Sequence, residues 1–120
     1  MKRRCYLVDE NTTPALADQL QRRQLGISVL KIGDERAPAK GTPDPHILLW
    51  LEQNEFSLIT RNRKSMPRHL QEHIANGNHV PGIFVLRPGA SFGSILDDLL
   101  LIWQVAGPDE YKDQIVHVPL

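Results

Sequence analysis

The stretch Arg4-Cys5-Tyr6-Leu7-Val8-Asp9-Glu10-Asn11 decides the fold, because a short apolar run stops abruptly at two acids and an amide. A second run, Phe56-Ser57-Leu58-Ile59, ends in the same way at Thr60-Arg61-Asn62-Arg63-Lys64. Short apolar runs that stop at polar residues and lead into helices are typical of buried parallel strands. Open α/β sheets bind ligands at the carboxyl ends of their strands, so both polar segments point to one site.

Around these two runs, strand and helix patterns alternate along the chain. Thr13 before Pro14 is typical of a helix start, and Gly26 of a helix end. The predicted elements are strands at 4–8, 27–32, 56–60, 83–86 and 115–118, with helices at 13–26, from 42, from 65 to 77 and at 91–105. This order predicts one α/β domain over residues 1–120, with a mostly parallel sheet covered by helices on both faces.

The composition narrows the class of protein. The chain has 120 residues, 41% hydrophobic and 23% charged, and a formal net charge of zero, so no global charge draws it to nucleic acid or anionic membranes. The single cysteine, Cys5, excludes an intramolecular disulfide. No apolar signal core follows the basic start, and the longest apolar stretch is too short to cross a bilayer. We expect a cytoplasmic protein without a membrane span.

Acidic residues give the first candidate site. Asp9-Glu10-Asn11 fits metal or phosphate chemistry at the sheet edge, or else capping of the helix that follows. Capping explains an acid directly after a buried strand less well, so chemistry is the favoured interpretation. For Asp44, in the first turn of the second helix, capping is a sufficient explanation, and Asp34-Glu35 reads as a solvated loop.

Basic residues follow the third strand. The cluster consists of Arg61, Arg63, Lys64 and Arg68. It fits contacts to phosphate and a solvated surface loop equally well. Thr60, at the end of the strand, can hydrogen-bond a carboxylate or the backbone.

Three further patterns favour structural roles. His69 and His73 have a metal-binding spacing but neither the glutamate of a zinc-protease motif nor a third ligand, so we expect surface histidines. The glycine-containing run at 87–93 lacks the ending of a phosphate-binding loop and predicts a turn and helix cap. The helix at 91–105 is apolar on most of its circumference, which predicts a central position or a homodimer or partner interface.

Several of these motifs together resemble a known family. They are Leu-Val-Asp-Glu-Asn at 7–11, the Thr-Pro helix start, the acidic loop with Asp44 after it, Leu-Ile-Thr-Arg-Asn at 58–62 and Pro-Gly-Ile-Phe-Val-Leu-Arg at 81–87. The pattern is similar to that of the short bacterial and cyanobacterial PIN-like proteins, relatives of the VapC-type toxin ribonucleases, and it covers nearly the whole chain.

The resemblance implies a three-layer α/β/α sandwich and a nuclease site. Active PIN domains hold Mg²⁺ or Mn²⁺ with three or four carboxylates and cut single-stranded RNA. The implied metal ligands are Asp9 and Asp44, and the implied catalytic residues are Asp9, Asp44 and Asn62. Glu10, Asn11 and Thr60 would support them, and Arg61, Arg63, Lys64 and Arg68 would contact RNA.

Two residues depart from the family pattern. Relatives usually carry Asp at the position of Asn62 and often at that of Lys64, so the local charge of this chain is more positive than theirs by about +3. Unit charges 4 Å apart interact by about 4 kcal/mol at an effective dielectric near 20, so this change in charge weighs on whether a metal ion stays bound. Hard divalent cations prefer anionic oxygen ligands. Asn62 could still ligate through its carbonyl oxygen, and Lys64 could instead pair with Asp9 or Glu10.

Three functions remain open from the sequence. The first is a metal-dependent endoribonuclease, and one version of it is the toxin of a toxin–antitoxin pair with a small antitoxin protein as partner. The second is a PIN-like module with weakened catalysis that binds RNA or a protein partner. The third is a receiver-like signalling domain, which ranks last because no aspartate ends the third strand and the late lysine is missing.

Overall fold

The computed structural model describes residues 2–120, which form a five-stranded, all-parallel sheet with four helices. The elements are β1 (Cys5–Val8), α1 (Pro14–Arg23), β2 (Ser28–Lys31), α2 (Asp44–Asn54), β3 (Phe56–Thr60), α3 (Met66–Ala75), β4 (Ile83–Leu86), α4 (Phe92–Val105) and β5 (Ile115–Val118). The strand order is β2-β1-β3-β4-β5. The predicted α/β class and parallel sheet are confirmed.

Two hydrophobic cores lie on opposite faces of the sheet. Successive strand residues point to opposite faces, so Tyr6 and Val8 enter one core and Leu7 enters the other. The first core contains the buried side chains of α1 and α4, among them Leu16, Leu20, Leu96 and Leu99. The second contains those of α2 and α3, among them Leu48, Leu51 and Leu70. This arrangement is a three-layer α/β/α sandwich.

Local side-chain chemistry sets the starts of the two helices in the first core. The Thr13 hydroxyl accepts a hydrogen bond from the amide of Ala15, and Pro14 occupies the first turn of α1. The Ser91 hydroxyl accepts from the amide of Ser94 at the start of α4. Because α1 and α4 each follow a strand of the parallel sheet, both helix starts lie beside the carboxyl ends of the strands.

The order of the strands creates a crevice at one edge of the sheet. The chain runs outward from β1 to β2, then returns to the other side of β1 to form β3, so β1 and β3 flank the point where the direction of winding reverses. Doubly wound sheets with this order bind ligands at this switch point. Asp9 follows β1 directly, and its amide donates to the carbonyl of Ile59 at 3.0 Å, which fixes it beside the end of β3.

The opposite, amino edge of the sheet is held by a buried arginine that the sequence had placed inside the first strand. Arg4 is 2% exposed and lies just before β1. Its terminal nitrogens donate to the Ser57 hydroxyl at 2.8 Å and to the carbonyls of Gly107 at 2.8 Å and Pro81 at 3.3 Å. Desolvation lowers the pKa of Arg4, and the aromatic rings packed against its guanidinium hold it in place.

The expectation of surface histidines was wrong for His73, and the His69 side chain is only 17% exposed. His73 is 6% exposed, and its Nε2 lies 3.2 Å from the carbonyl of His79 and 3.2 Å from the Glu52 carboxylate. An apolar strand and helix pattern does not show which polar residue of a helix faces inward, so the contact with α2 was not visible in the sequence.

Most of the apolar surface of helix α4 is buried by packing within the chain. Leu96, Leu99, Ile102 and Trp103 are buried against the sheet and α1, whereas Leu101 and Val105 are exposed. The central position expected for this helix is therefore partly observed, and the homodimer interface at 91–105 stays a prediction. Within residues 2–120, none of the helices has the length and apolar character needed to cross a bilayer.

Candidate functional site at the carboxyl edge

Asp9 is fixed by two hydrogen bonds at the end of β1. Its Oδ2 accepts from the hydroxyl of Thr60 at 2.7 Å, and its Oδ1 accepts from the amide of Glu10 at 2.8 Å. Thr60 is fully buried at the end of β3, so the carboxylate is anchored to the sheet. The cap of α1 is Thr13, and capping therefore does not explain Asp9.

Asn62 connects Asp9 to Asp44 through the end of β3. Its backbone amide donates to the hydroxyl of Thr60 at 3.1 Å, and its side-chain nitrogen donates to Oδ2 of Asp44 at 3.0 Å. The same nitrogen lies 2.7 Å from the Ser65 hydroxyl, and the Ser65 amide donates to the Asn62 side-chain oxygen at 3.2 Å. That last bond sets the orientation of the side-chain amide, since only its oxygen can accept. We call Asp9, Thr60, Asn62 and Asp44 the edge network.

The Asp44 side chain is part of the edge network and does not cap helix α2. Its helix begins after Pro43 without a side-chain capping bond. The carboxylate instead accepts from Asn62 and lies 3.7 Å from Nε2 of His69, with the Asp44 side chain 25% exposed. The Nδ1 atom of His69 is buried and has no hydrogen-bond partner within residues 2–120. Helices α2 and α3 are thus joined across their starts.

The other acids and amides of the first segment stand outside the edge network. Glu10 accepts from the amide of Gly41 at 3.0 Å and ties the two loops together, while Asn11 is exposed. Asp34 accepts from the amide of Lys31 at 2.8 Å and closes a turn after β2. Lys64 forms no ion pair with Asp9 or Glu10, so the metal-free pairing considered from the sequence is absent from residues 2–120.

The basic cluster is exposed beside the edge network. We call Arg61, Arg63, Lys64 and Arg68 the basic segment, and all four are exposed. Within residues 2–120, none of the four lies within 4.0 Å of a carboxylate oxygen. Basic side chains that lack an acidic partner remain available to an anion from solution.

The donor atoms of the edge network do not fit a divalent ion held by protein groups alone. In the described part of the chain, no three His, Cys, Asp or Glu side chains lie together as a metal-binding group. The Asn62 oxygen already accepts from Ser65, and its nitrogen faces Asp44, which a metal ligand would not do. Asp9 and Asp44 as metal ligands therefore stay a prediction that depends on ligands from a substrate.

A cavity of about 170 Å³ lies next to the edge network, between the starts of α1 and α4. Its lining residues are Thr12, Thr13, Leu16, Arg61, Leu86, Arg87, Gly89, Ala90, Phe92 and Ile95. We call it the α1–α4 cavity. Sequence reasoning assigned Arg87 and Phe92 only to a turn and a helix cap. The signal that would have found the site is Arg87, which follows β4 as Arg61 follows β3.

No family model matches the chain, and comparisons with curated proteins and with solved structures give no significant match. The PIN-like resemblance therefore rests on the sequence motifs alone.

Proposed function

We propose that this chain is a PIN-like module that binds single-stranded RNA at the carboxyl edge of its sheet, with metal-dependent cleavage weakened or lost. The hydrogen bond from Asn62 to Asp44 is the observation that carries this proposal. The residues of the PIN-like motifs meet in one network at the switch point of the sheet, where a ligand is expected.

The Asn62–Asp44 contact supports weakened cleavage because the amide of Asn62 stabilises the Asp44 carboxylate, which a metal ion would otherwise do. Two carboxylates at this distance repel each other, and a divalent cation between them would offset the repulsion. The amide of Asn62 donates to Asp44 instead, so the carboxylate is stabilised without any cation. The edge network is complete as a hydrogen-bonded structure.

The basic segment supports RNA as the ligand. Its four side chains are exposed beside the network and unpaired within residues 2–120, although the formal net charge of the chain is zero. A local cluster of this kind contacts phosphates without drawing the whole protein to polyanions. Each phosphate neutralised on a single strand lowers log K by about 0.7 per tenfold increase in salt.

The test is a titration of a fluorescent single-stranded RNA, followed by anisotropy at several salt concentrations. The triple variant Arg63→Ala, Lys64→Ala, Arg68→Ala removes three charges from the basic segment. Its matched control, Lys2→Ala, Arg22→Ala, Lys112→Ala, removes three charges near the amino edge. We expect the first variant to bind about tenfold more weakly or worse and to lose about two units of salt slope. We expect the control to bind like wild type.

Equal losses in the two triple variants would show that only net charge matters, and the proposed site would be wrong. Absence of binding by well-folded wild-type protein would refute RNA binding itself.

A second candidate function is metal-dependent cleavage of RNA, with a small antitoxin protein as a partner. The observation in its favour is that Asp9 and Asp44 both remain partly exposed in the network. Magnesium sites often use one or two carboxylates together with substrate phosphates. Incubation of single-stranded RNA with Mg²⁺ or Mn²⁺ separates the candidates. Cleavage that disappears in Asp9→Asn would establish the nuclease, and cleavage that persists in Asp9→Asn would place the activity elsewhere.

The strand order is the one observation that favours the receiver-like alternative, and proteins of unrelated function have the same order. Strand β3 ends at Thr60, and Arg61 follows it, so the end of this strand has no aspartate to accept a phosphoryl group.

A further inference from the structure

We propose that the α1–α4 cavity binds one nucleotide of a single-stranded RNA, with its base against the apolar wall and a phosphate on Arg61 and Arg87. This inference rests on the proposed RNA binding and assigns the part of the edge that holds a nucleotide. The basic segment would then guide the backbone, and the cavity would select unpaired nucleotides.

The charge of the cavity favours a phosphate. Arg61 and Arg87 both line it and are exposed, and no acidic residue is part of the lining. Arg87 donates from Nε to the carbonyl of Pro119 at 2.6 Å, which positions the guanidinium and leaves its two terminal nitrogens without a partner in residues 2–120. A planar guanidinium matches the geometry of phosphate oxygens.

The starts of two helices add to this positive field. Thr13 caps the ten-residue helix α1, Phe92 begins the fourteen-residue helix α4, and both residues line the cavity. The first turn of a helix carries partial positive charge, which favours an anion. In α1 only this dipole contributes, because Pro14 has no amide hydrogen and the amides of Ala15 and Leu16 already donate to Thr13. Two such starts and two arginines therefore face one small space.

The apolar part of the lining favours a base. Leu16, Leu86 and Ile95 provide apolar surface, and Phe92, which also lines the cavity, is 39% exposed. Exposed aromatic rings stack unpaired bases, which is the usual way proteins recognise single-stranded RNA. The cavity, at about 170 Å³, is smaller than the roughly 300 Å³ at which small-molecule pockets begin, so it suits a single ring.

Thr12 provides an independent sign of a ligand. It is 5% exposed, it lines the cavity, and its hydroxyl is buried without a hydrogen-bond partner in residues 2–120. A buried hydroxyl without a partner destabilises the folded protein, so such groups are rare unless water or a ligand satisfies them. A rotation of the Thr12 side chain about χ1 would bring this hydroxyl to the cavity, where the polar edge of a base or a ribose hydroxyl would complete the hydrogen bond.

The experiment is an NMR titration of isotope-labelled wild-type protein with three probes: adenosine monophosphate, adenosine alone and inorganic phosphate. We expect adenosine monophosphate to shift the amide signals of Thr12 and Phe92 and the methyl signals of Leu16. We expect weaker shifts with each of the other two probes. Inorganic phosphate that reproduces the full pattern would show an anion site only and would overturn the assignment of a base.

Two variants separate binding from folding. Thr12→Val removes a buried, unpartnered hydroxyl at almost constant shape, so we expect the free protein to be at least as stable as wild type and nucleotide binding to be about three- to tenfold weaker. Phe92→Ala should weaken binding by about tenfold or more. Leu101→Ala, an exposed apolar residue elsewhere on α4, is the matched control and should bind like wild type. Unchanged nucleotide binding in both cavity variants would refute the inference.

The outcomes also separate this inference from the proposed function. RNA binding that depends on Arg63, Lys64 and Arg68, combined with no shift of cavity signals by any probe, would refute the cavity and leave RNA binding intact. Nucleotide binding in the cavity, combined with oligonucleotides that bind no more tightly than adenosine monophosphate, would support the cavity and refute the RNA-binding proposal.

Discussion

The two edges of the sheet use arginine in opposite ways. At the amino edge, Arg4 is 2% exposed and donates hydrogen bonds to Ser57, Pro81 and Gly107. At the carboxyl edge, Arg61 and Arg87 are exposed, and no carboxylate pairs with them in residues 2–120. The difference shows where the chain uses a charge to hold its own loops together and where it keeps a charge available for a ligand.

The largest effect we expect is from Arg4→Ala. The substitution leaves the Ser57 hydroxyl and the carbonyl oxygens of Pro81 and Gly107 without their donor and removes buried packing. We expect a loss of about 3 kcal/mol in the free energy of unfolding, measured by urea denaturation. Arg22→Ala, on the exposed last turn of α1, is the control and should stay within about 0.5 kcal/mol of wild type. A small loss in Arg4→Ala would remove the contrast between the edges.

The next effect is expected at the carboxyl edge, from Asn62→Asp. The new carboxylate cannot donate to Asp44 or Ser65 and adds a like charge beside Asp44, so we expect a loss of about 2 kcal/mol without divalent ions. Addition of Mn²⁺ should restore much of that loss, because three carboxylates with Asp9 attract a cation. Thermal unfolding with and without Mn²⁺ measures both effects.

Gln71→Glu is the matched control for that experiment, since it makes the same amide-to-acid change at an exposed position of α3. We expect little change in its melting temperature and no response to Mn²⁺. Rescue of both variants by Mn²⁺ would mean that the ion acts on the protein generally and not at the edge network.

A smaller effect is expected in the core next to Arg4, from Tyr6→Phe. The Tyr6 hydroxyl donates to the carbonyl of Leu99 at 2.9 Å, and its loss should cost about 1 kcal/mol near neutral pH. Burial raises the pKa of Tyr6 above the ordinary value of 10.0, so the folded state keeps the proton while the unfolded state loses it. Wild-type stability should therefore fall as the pH rises above 10.0, by about 1.4 kcal/mol per unit.

The variant lacks this phenol, so the gap between wild type and Tyr6→Phe should shrink as the pH passes 10.0. Urea denaturation of both proteins at about pH 9 and about pH 11 measures the change. A gap that stays constant would mean that Tyr6 ionises equally in the folded and unfolded states.

The fold was predictable because local sequence patterns mark most of its strands and helices. Strands β3, β4 and β5 and helix α4 have the predicted ends, since Thr60, Ser91 and the flanking turns mark them clearly. Strand β2 is shorter than predicted, because Ile27 and Ile32 are buried without belonging to the strand. Periodicity shows which residues are apolar but not where strand pairing stops.

The site was predictable in part. The proximity of Asp9 to Thr60 follows from the rule that parallel strands end at one edge, and the structure shows their hydrogen bond. The orientation of Asn62 toward Asp44 depends on two helices meeting across a face, and the α1–α4 cavity depends on two others. Contacts between helices distant in sequence leave no local pattern, and the buried His73 was missed for the same reason. The buried Arg4 was missed because its hydrogen-bond partners also lie far away in the sequence.

Substitutions in the basic segment should change stability least, although they should weaken RNA binding strongly. Arg63 and Lys64 are exposed and unpaired in residues 2–120, so the double variant Arg63→Ala, Lys64→Ala should unfold within about 0.5 kcal/mol of wild type. Its affinity for single-stranded RNA should nevertheless fall several-fold at low salt and converge with wild type at high salt. Stability loss comparable to that of Arg4→Ala would mean that these side chains hold the structure together, and the proposed division between the two edges would be wrong. Unchanged stability with salt-dependent loss of binding would show that the carboxyl edge keeps its charges for a ligand.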